Sequence, residues 1–560
     1  MKQNNFFNIF INFLIILCLI FIFSNWFIRI DLTNEKRYSL SNVSKNILKN
    51  LDDVVYIRVY LDGDLNIPFQ RMKRSIRELL DEFKAYAGNK LEYKFINPFS
   101  ESNIKQQNKI IKELHEKGLR PINIFLKEKN ISTERIIFPG AIISYKGNEI
   151  PINFLTTISQ ADINEVINKA LQNAEFELIS KINALTKKEI KKIAFIEGHG
   201  EIEEIYTNDI SKELSYFYQV DRGVIGGKLG IIDEYEAIII AKPTQKFDEK
   251  DKYVIDQYIM KGGKVLWLLD MVNVNVDSLA NGMTFASIVD LNLNDMLFRY
   301  GVRINPVLIK DIQCNVIPVN TALEGNPAKF IPAPWLYYPL LIPLQNNEIT
   351  KGLSLIKSEF VNSIDTIEAR KNIKKIPLII SSNFSKVVKA PLVISLNEIT
   401  EEIKIETFKP GKLLAGVLLE GQFESVFKNR PISSYFGNEE KNFIDYSKPT
   451  KMIIIADGDI IRNDIKYTRY GWQILPLGLD KYSQQYYDNK SFIVNAVNYL
   501  VDKDGVFKIR RKEFKLRLLD KAKIKKNKVK IQIINLFLPI LLVSVFGIVY
   551  NISRRKKYIL

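Results

Sequence analysis

The sequence predicts an α/β protein held in a membrane by a helix at each end, and three observations predict it. First, two apolar runs, Phe6 to Ile28 and Ile531 to Tyr550, lack any charged side chain. Each supplies about the 20 residues a helix needs to cross a ~30 Å hydrocarbon core. Second, between them short β-branched or aromatic runs alternate with helical periodicity, the pattern of sheets covered by helices. Third, the two cysteines, Cys18 inside the first apolar run and Cys314 far from it, leave no disulfide framework and no C-x-x-C.

The N-terminal run, assigned to an anchor over residues 1–30, competes with a cleaved signal peptide. A signal has an apolar stretch of about 7–15 residues before a small-residue cleavage site. Here the stretch is longer and ends in Ser24-Asn25-Trp26-Phe27, with Trp26 placed for the membrane interface. An uncleaved anchor follows. Two spans leave both termini on one side and roughly 500 residues on the other, enough for two to four domains.

Charge leaves the side open. The terminal flanks carry Lys2, Arg554, Arg555, Lys556 and Lys557; the domain flanks carry Arg29, Lys36, Arg37 and six lysines between Lys521 and Lys530. Counted literally, that favours a cytoplasmic domain, but long domains cross membranes largely regardless of charge. The net charge of +17 peaks in the 521–530 linker. A juxtamembrane basic run points to lipid headgroups or a solvated linker rather than nucleic acid.

Residues 31–186 read as one α/β domain. Val54–Tyr60 is a strand followed by a turn at Asp62-Gly63-Asp64. Met72, Ile76, Leu79, Leu80, Phe83 and Tyr86 recur at helical spacing and stop at Gly88. Leu91, Tyr93 and Phe95 alternate as a second strand, and another helix runs to Gly118. Strands near Ile136–Tyr145 and Glu149–Phe154, then a helix from Ala161 to Leu185, complete a β-α-β-α-β-β-α order. That order is thioredoxin-like, without the redox cysteines.

Residues 187–520 read as a doubly wound sheet. Strands are expected at Ile193–Ile196, Tyr218–Arg222, Ala237–Ala241, Val265–Asp270 and Met452–Ala456. Helices are expected from Asp248 to Met260, ended by Gly262-Gly263, and around Phe492, Ile493, Ala496, Val497 and Leu500. Residues 290–450 form a β-rich insertion whose placement the pattern does not give.

Four stretches have the residue types for chemistry. Gly198-His199-Gly200-Glu201 follows a strand, where ligands of α/β sheets bind, and Glu197 or Glu201 would join His199 on a metal. A catalytic zinc needs three protein ligands, and the other histidine, His115, lies in a separate helix, so a structural turn with His199 bonded to backbone is the preferred reading. Asp457-Gly458-Asp459 is either the acidic end of a ligand-binding strand or a tight turn. Gly223 to Gly230 fails the phosphate-loop pattern, with Arg222 at the first glycine and Leu229 in place of the Mg²⁺-binding hydroxyl. A nucleophile would be expected after Ile238–Ile240, where Ala241-Lys242-Pro243-Thr244 offers no cysteine or serine. No catalytic, cofactor-binding or metal residue is therefore assigned, and this domain reads as a scaffold.

Leu32-Thr33-Asn34-Glu35-Lys36-Arg37-Tyr38-Ser39-Leu40-Ser41 directly after an anchor resembles the gliding-motility-associated ABC transporter substrate-binding family, GldG. Gly198 to Glu201, Lys264 to Asp270, Asp457 to Asn463 and Asn489 to Asp520 fit the same family, so the resemblance runs the length of the chain. It implies a non-enzymatic inner-membrane subunit without cofactor. Its partners would be a separate ABC ATPase and a polytopic permease, GldA and GldF. It also implies cytoplasmic termini, a periplasmic domain, and a second domain similar to glutamine amidotransferases without the catalytic cysteine. An envelope scaffold and an anchored hydrolase are the competing functions.

Overall fold

The computed structural model describes residues 39–558 apart from 100–103, 129–130, 156–162, 188, 280, 321, 323–326, 328, 369–371, 409–410, 431–442, 469–470, 503–504, 507–508 and 510–526. The N-terminal apolar run, most of the Leu32–Ser41 motif and most of the basic linker lie outside those residues. The chain divides into two compact units, a large one reaching Lys512 and a second that contains the C-terminal helix.

In the large unit, a four-stranded sheet forms from β1 (Val55–Val59), β2 (Leu91–Phe95), β5 (Gly140–Tyr145) and β6 (Asn148–Asn153), in the order β2-β1-β5-β6. β1 and β2 are parallel because the helix Ile67–Ala87 crosses between them; β5 and β6 run antiparallel. Asn66 caps that helix by accepting from Phe69 N, Pro68 stands in its first turn, and Gly88 at φ 61° ends it. Its Phe69, Met72, Ile76, Leu80 and Phe83 meet Ile167, Phe176, Ile179 and Ile182 of the helix Ile163–Thr186 in one core.

Two differences from the expected pattern appear here. The single strand expected at Ile136–Tyr145 is split at Pro139, which has no N–H to continue the ladder. The hairpin of β3 (Ile122–Glu128) and β4 (Ile131–Ile137) was not anticipated.

A ten-stranded sheet dominates the rest of this unit. β7 (Lys192–Glu197), β8 (Gln219–Val224), β9 (Ala237–Ala241), β10 (Val265–Leu268) and the strand Thr450–Ile455 are parallel, in the order Thr450–Ile455, β10, β9, β7, β8. All five residues of β9 are buried, and alternate residues point to opposite layers. Ile238 and Ile240 pack with Tyr253, Val254 and Trp267 under the helix Glu249–Met260. Ala237 and Ile239 pack with Phe492, Ala496 and Val497 of the helix Asn489–Val501. The β-rich segment of unknown placement extends this same sheet. Leu414–Gly421 pairs antiparallel with Thr450–Ile455, and Ile373–Ile380, Phe330–Pro343 and Cys314–Asn320 follow outward.

The second unit contains the helix Lys528–Tyr558, with Pro539 inside it. Its span Lys528–Lys556 is long and apolar enough to cross a membrane, and among the described residues it is the one helix that is.

Candidate functional site

Parallel pairing places the residues that follow β9, β10 and Thr450–Ile455 side by side. Ala241, Leu268 and Ile455 are in register, so Lys242, Asp270 and Asp457 emerge at the same carboxyl edge. Lys242 leaves β9 with φ 51°, a left-handed conformation uncommon for a non-glycine residue. Its ammonium pairs with Asp459 and lies 3.3 Å from Asp270 Oδ2. Asp270 Oδ1 accepts from Gly458 N at 2.8 Å, Asp457 Oδ1 from Asp459 N at 2.7 Å, and Asp457 Oδ2 from Glu359 N at 3.0 Å. Arg462 reaches Asp459 at 3.5 Å and stacks over Tyr206.

Gly458 is required by close approach: a Cβ there would stand 2.4 Å from Lys242 Cβ. Gly458 thus lets two strand ends touch, and Asp459 opens the 3-10 helix Asp459–Ile461.

Burial pulls the Lys242 ammonium down, but Asp459 and Asp270 outweigh it and hold its pKa above the ordinary lysine value. Burial also pushes the carboxyls up. It wins at Asp457, where Asp270 and Asp459 add to it, and at Asp270 despite Lys242. At Asp459 the charges of Lys242 and Arg462 reverse the sign and keep the group ionised. A lysine held this firmly in its charged form is a poor nucleophile. Around these groups is a polar cavity of about 210 Å³, lined by Lys242, Asp270, Asn273, Glu359, Asp459 and Arg462.

The Gly198–Glu201 turn lies beside this edge: Thr244 N and Gln245 N donate to the His199 carbonyl at 2.9 and 2.8 Å. Gly198 and Gly200 have φ of 112° and 70°, which L side chains rarely adopt. The His199 ring bonds to carboxylates rather than backbone, with Nε2 3.0 Å from Asp251 and Nδ1 3.3 Å from Glu201, stacked on Phe247 at 3.7 Å. Glu197 pairs with Arg222 instead. His115 belongs to the helix Ile104–Glu116, and among the described residues no group of three or more His, Cys, Asp or Glu side chains is placed to hold a metal ion. Gly227 N donates to Asp251, so the glycine-rich stretch ties to the Glu249–Met260 helix.

Burial lowers the His199 pKa, but Glu201 and Asp251 raise it above 6.5 on balance. A raised histidine contributes stability that is fully present below its unfolded value and is lost as pH rises through the folded one. His199→Gln is expected to remove that loss. The melting temperature of the wild type should fall relative to the variant as pH rises above about 6.5; parallel pH profiles would contradict the charged pairing.

Glu359 and Arg462 escaped the sequence reading. Arg462 follows Asp459 by three residues and was within reach of it; Glu359 comes from the segment whose placement the pattern did not give.

Comparison with known proteins adds a family. A family model described as an ABC-type uncharacterized transport system matches residues 190–496, and a domain of unknown function (DUF7088) matches residues 34–144. An uncharacterized protein of Borreliella burgdorferi is 24% identical, with 99% of each chain covered. Among solved structures, the mmIFT52 N-terminal domain aligns over 56% of this chain and 99% of its own, at 12% identity and a TM-score of 0.31.

Proposed function

Because the chain belongs to the ABC-type uncharacterized transport system family, we propose that it is a non-enzymatic, membrane-anchored auxiliary subunit of an ABC transporter of the GldG type. The observation that carries this reading is the family match across the sheet domain in a chain that also has a helix of membrane-spanning length and apolarity. On this reading the large domain is extracytoplasmic, both termini are cytoplasmic, and the partners are an ATPase and a polytopic permease. The domain divisions at about residues 186 and 520 belong to the same proposal.

Two features support the finer fold assignments. The order β2-β1-β5-β6, parallel then antiparallel, is the arrangement a thioredoxin-like domain would have. Lys242 stands in a left-handed turn after a buried parallel strand, where an amidotransferase-like elbow would carry its nucleophile. A charged lysine there favours a scaffold over a hydrolase, since the elbow then offers an ion pair in place of an attacking group.

Gentle detergent extraction of a tagged full-length chain tests the assignment. An ABC ATPase and a multi-span permease are expected to co-purify in fixed ratio. Recovery of the chain alone, or with envelope-structural proteins, would replace the transporter subunit with an envelope scaffold.

A further inference from the structure

An open cleft of about 590 Å³ lies between the helix Asn294–Tyr300, the strand Val302–Asn305 and the turn near Val426. Its volume is in the range of small-molecule sites, about 300–1,000 Å³. The cleft is separate from the charged cavity at the sheet's carboxyl edge, with which it shares no lining residue.

Its wall is apolar on one side. Met296, Leu297 and Tyr300 turn their helix inward to the core, which leaves Phe298 49% exposed beside Ile304 and Pro306. A phenylalanine so placed gains by covering itself with another apolar group, at roughly 25 cal/mol per Å².

The other side is cationic. Asp295 is shared by Lys252 at 2.6 Å and Arg430 at 2.7 Å. Glu424 is shared by Arg299 at 3.2 Å and Lys428 at 3.1 Å, and Glu249 by Lys252 at 3.8 Å and Arg430 at 3.7 Å. Arg303 makes no ion pair or hydrogen bond with a described residue; Asp365, opposite it across the strand pair, accepts from Asn305 at 2.8 Å. Among the described residues, and with Asp365 counted, these five cations outnumber the four carboxylates, each of which already has a partner. An incoming anion would meet a guanidinium with donors to spare, and guanidinium forks match phosphate and carboxylate oxygens.

We infer that this cleft binds an anionic amphiphile, with its phosphate or carboxylate head on Arg303 and the neighbouring Arg299 and Arg430, and its apolar body on Phe298 and Pro306. The head alone would leave the phenylalanine wall bare, and a neutral apolar molecule would leave the arginine unmatched. The same chemistry is offered by a soluble acyl or alkyl phosphate and by an anionic lipid.

The test uses the full-length protein in phosphatidylcholine nanodiscs, titrated with hexyl phosphate by calorimetry. Saturable binding is expected, weakened about tenfold or more in Arg303→Glu and also in Phe298→Ser, with inorganic phosphate and hexanol each at least about tenfold weaker than hexyl phosphate. Both substituted side chains are exposed, and unchanged melting temperatures would verify the folds. Wild-type affinity in Arg303→Glu, equal binding of inorganic phosphate, or no saturable binding would overturn the site. Nanodiscs containing phosphatidylglycerol then separate the sources. Competition with hexyl phosphate identifies a lipid headgroup, and unchanged affinity identifies a soluble ligand; either result upholds the cleft's chemistry.

Discussion

Lys242→Met is expected to destabilise the sheet domain by about 3–5 kcal/mol, the usual cost of removing one partner from a buried ion cluster. The methionine keeps the aliphatic stem but leaves Asp270 and Asp459, both buried, without their shared cation. The sign of the pH dependence follows from each group. Asp459 has a lowered pKa, so its contribution is present above its ordinary value of 3.8 and disappears as pH falls through the folded value. Lys242 has a raised pKa, so its contribution is present below 10.5 and disappears only as pH rises through the still higher folded value. Between those limits the wild-type pair is intact. In the variant Asp459 keeps only Arg462 at 3.5 Å, and Asp270 can escape its unpaired charge only by taking up a proton. The defect should therefore be larger at pH 8 than at pH 5. Thermal unfolding of the detergent-solubilised chain at both values measures it. A loss below about 1 kcal/mol at pH 8 would mean that the cluster is solvated and carries no structural burden.

Trp267→Ala is expected to cost a similar amount, about 3–5 kcal/mol, through a different mechanism. Trp267 lies fully buried in β10, at the middle of the sheet, packed with Ile240, Ile454 and the residues beneath the Glu249–Met260 helix. Truncation opens a cavity that strands pinned on both sides cannot close. The indole Nε1 has no hydrogen-bond partner among the described residues. Trp267→Phe removes that unsatisfied donor along with one ring, so the two changes offset each other. Denaturation should place Trp267→Phe within about 1.5 kcal/mol of the wild type and Trp267→Ala far below it. Equal losses in the two variants would show that the indole N–H is satisfied and stabilising.

The parallel core was legible because its signal is local. A fully buried parallel strand must be apolar on both faces, and Ala237–Ala241, Val265–Leu268 and residues 452–455 are. Helix ends were legible for the same reason: Asp248 caps Glu249–Met260 through Asp251 N, and Gly88 terminates Ile67–Ala87. The antiparallel extension between Cys314 and Gly421 was not. Its strands carry prolines and mixed polarity, and the pairing that defines them spans long sequence separations. The hairpin Ile122–Ile137 failed similarly, since the sequence Ile122-Asn123-Ile124-Phe125-Leu126-Lys127-Glu128 breaks its apolar-polar alternation at Phe125-Leu126.

For the charged edge, residue types were visible and partnerships were not. Asp457-Gly458-Asp459 stood out, but as a motif of two meanings. Its packing partner is Lys242, more than two hundred residues earlier, against which Gly458 closes. His199 was likewise conspicuous, yet its partners Glu201 and Asp251 separate into a near neighbour and a residue on another helix.

By itself, the sequence determined the α/β class, the parallel strands, the helix ends and an apolar segment long enough to span a bilayer. Each depends on periodicity, burial or turn chemistry within about a dozen residues. Only the tertiary structure decided which charges neutralise one another, that the β-rich segment joins the main sheet, and that three arginines line one cleft beside an exposed phenylalanine. Electrostatic pairing and strand order depend on distances in space, and chain separation carries almost no information about those.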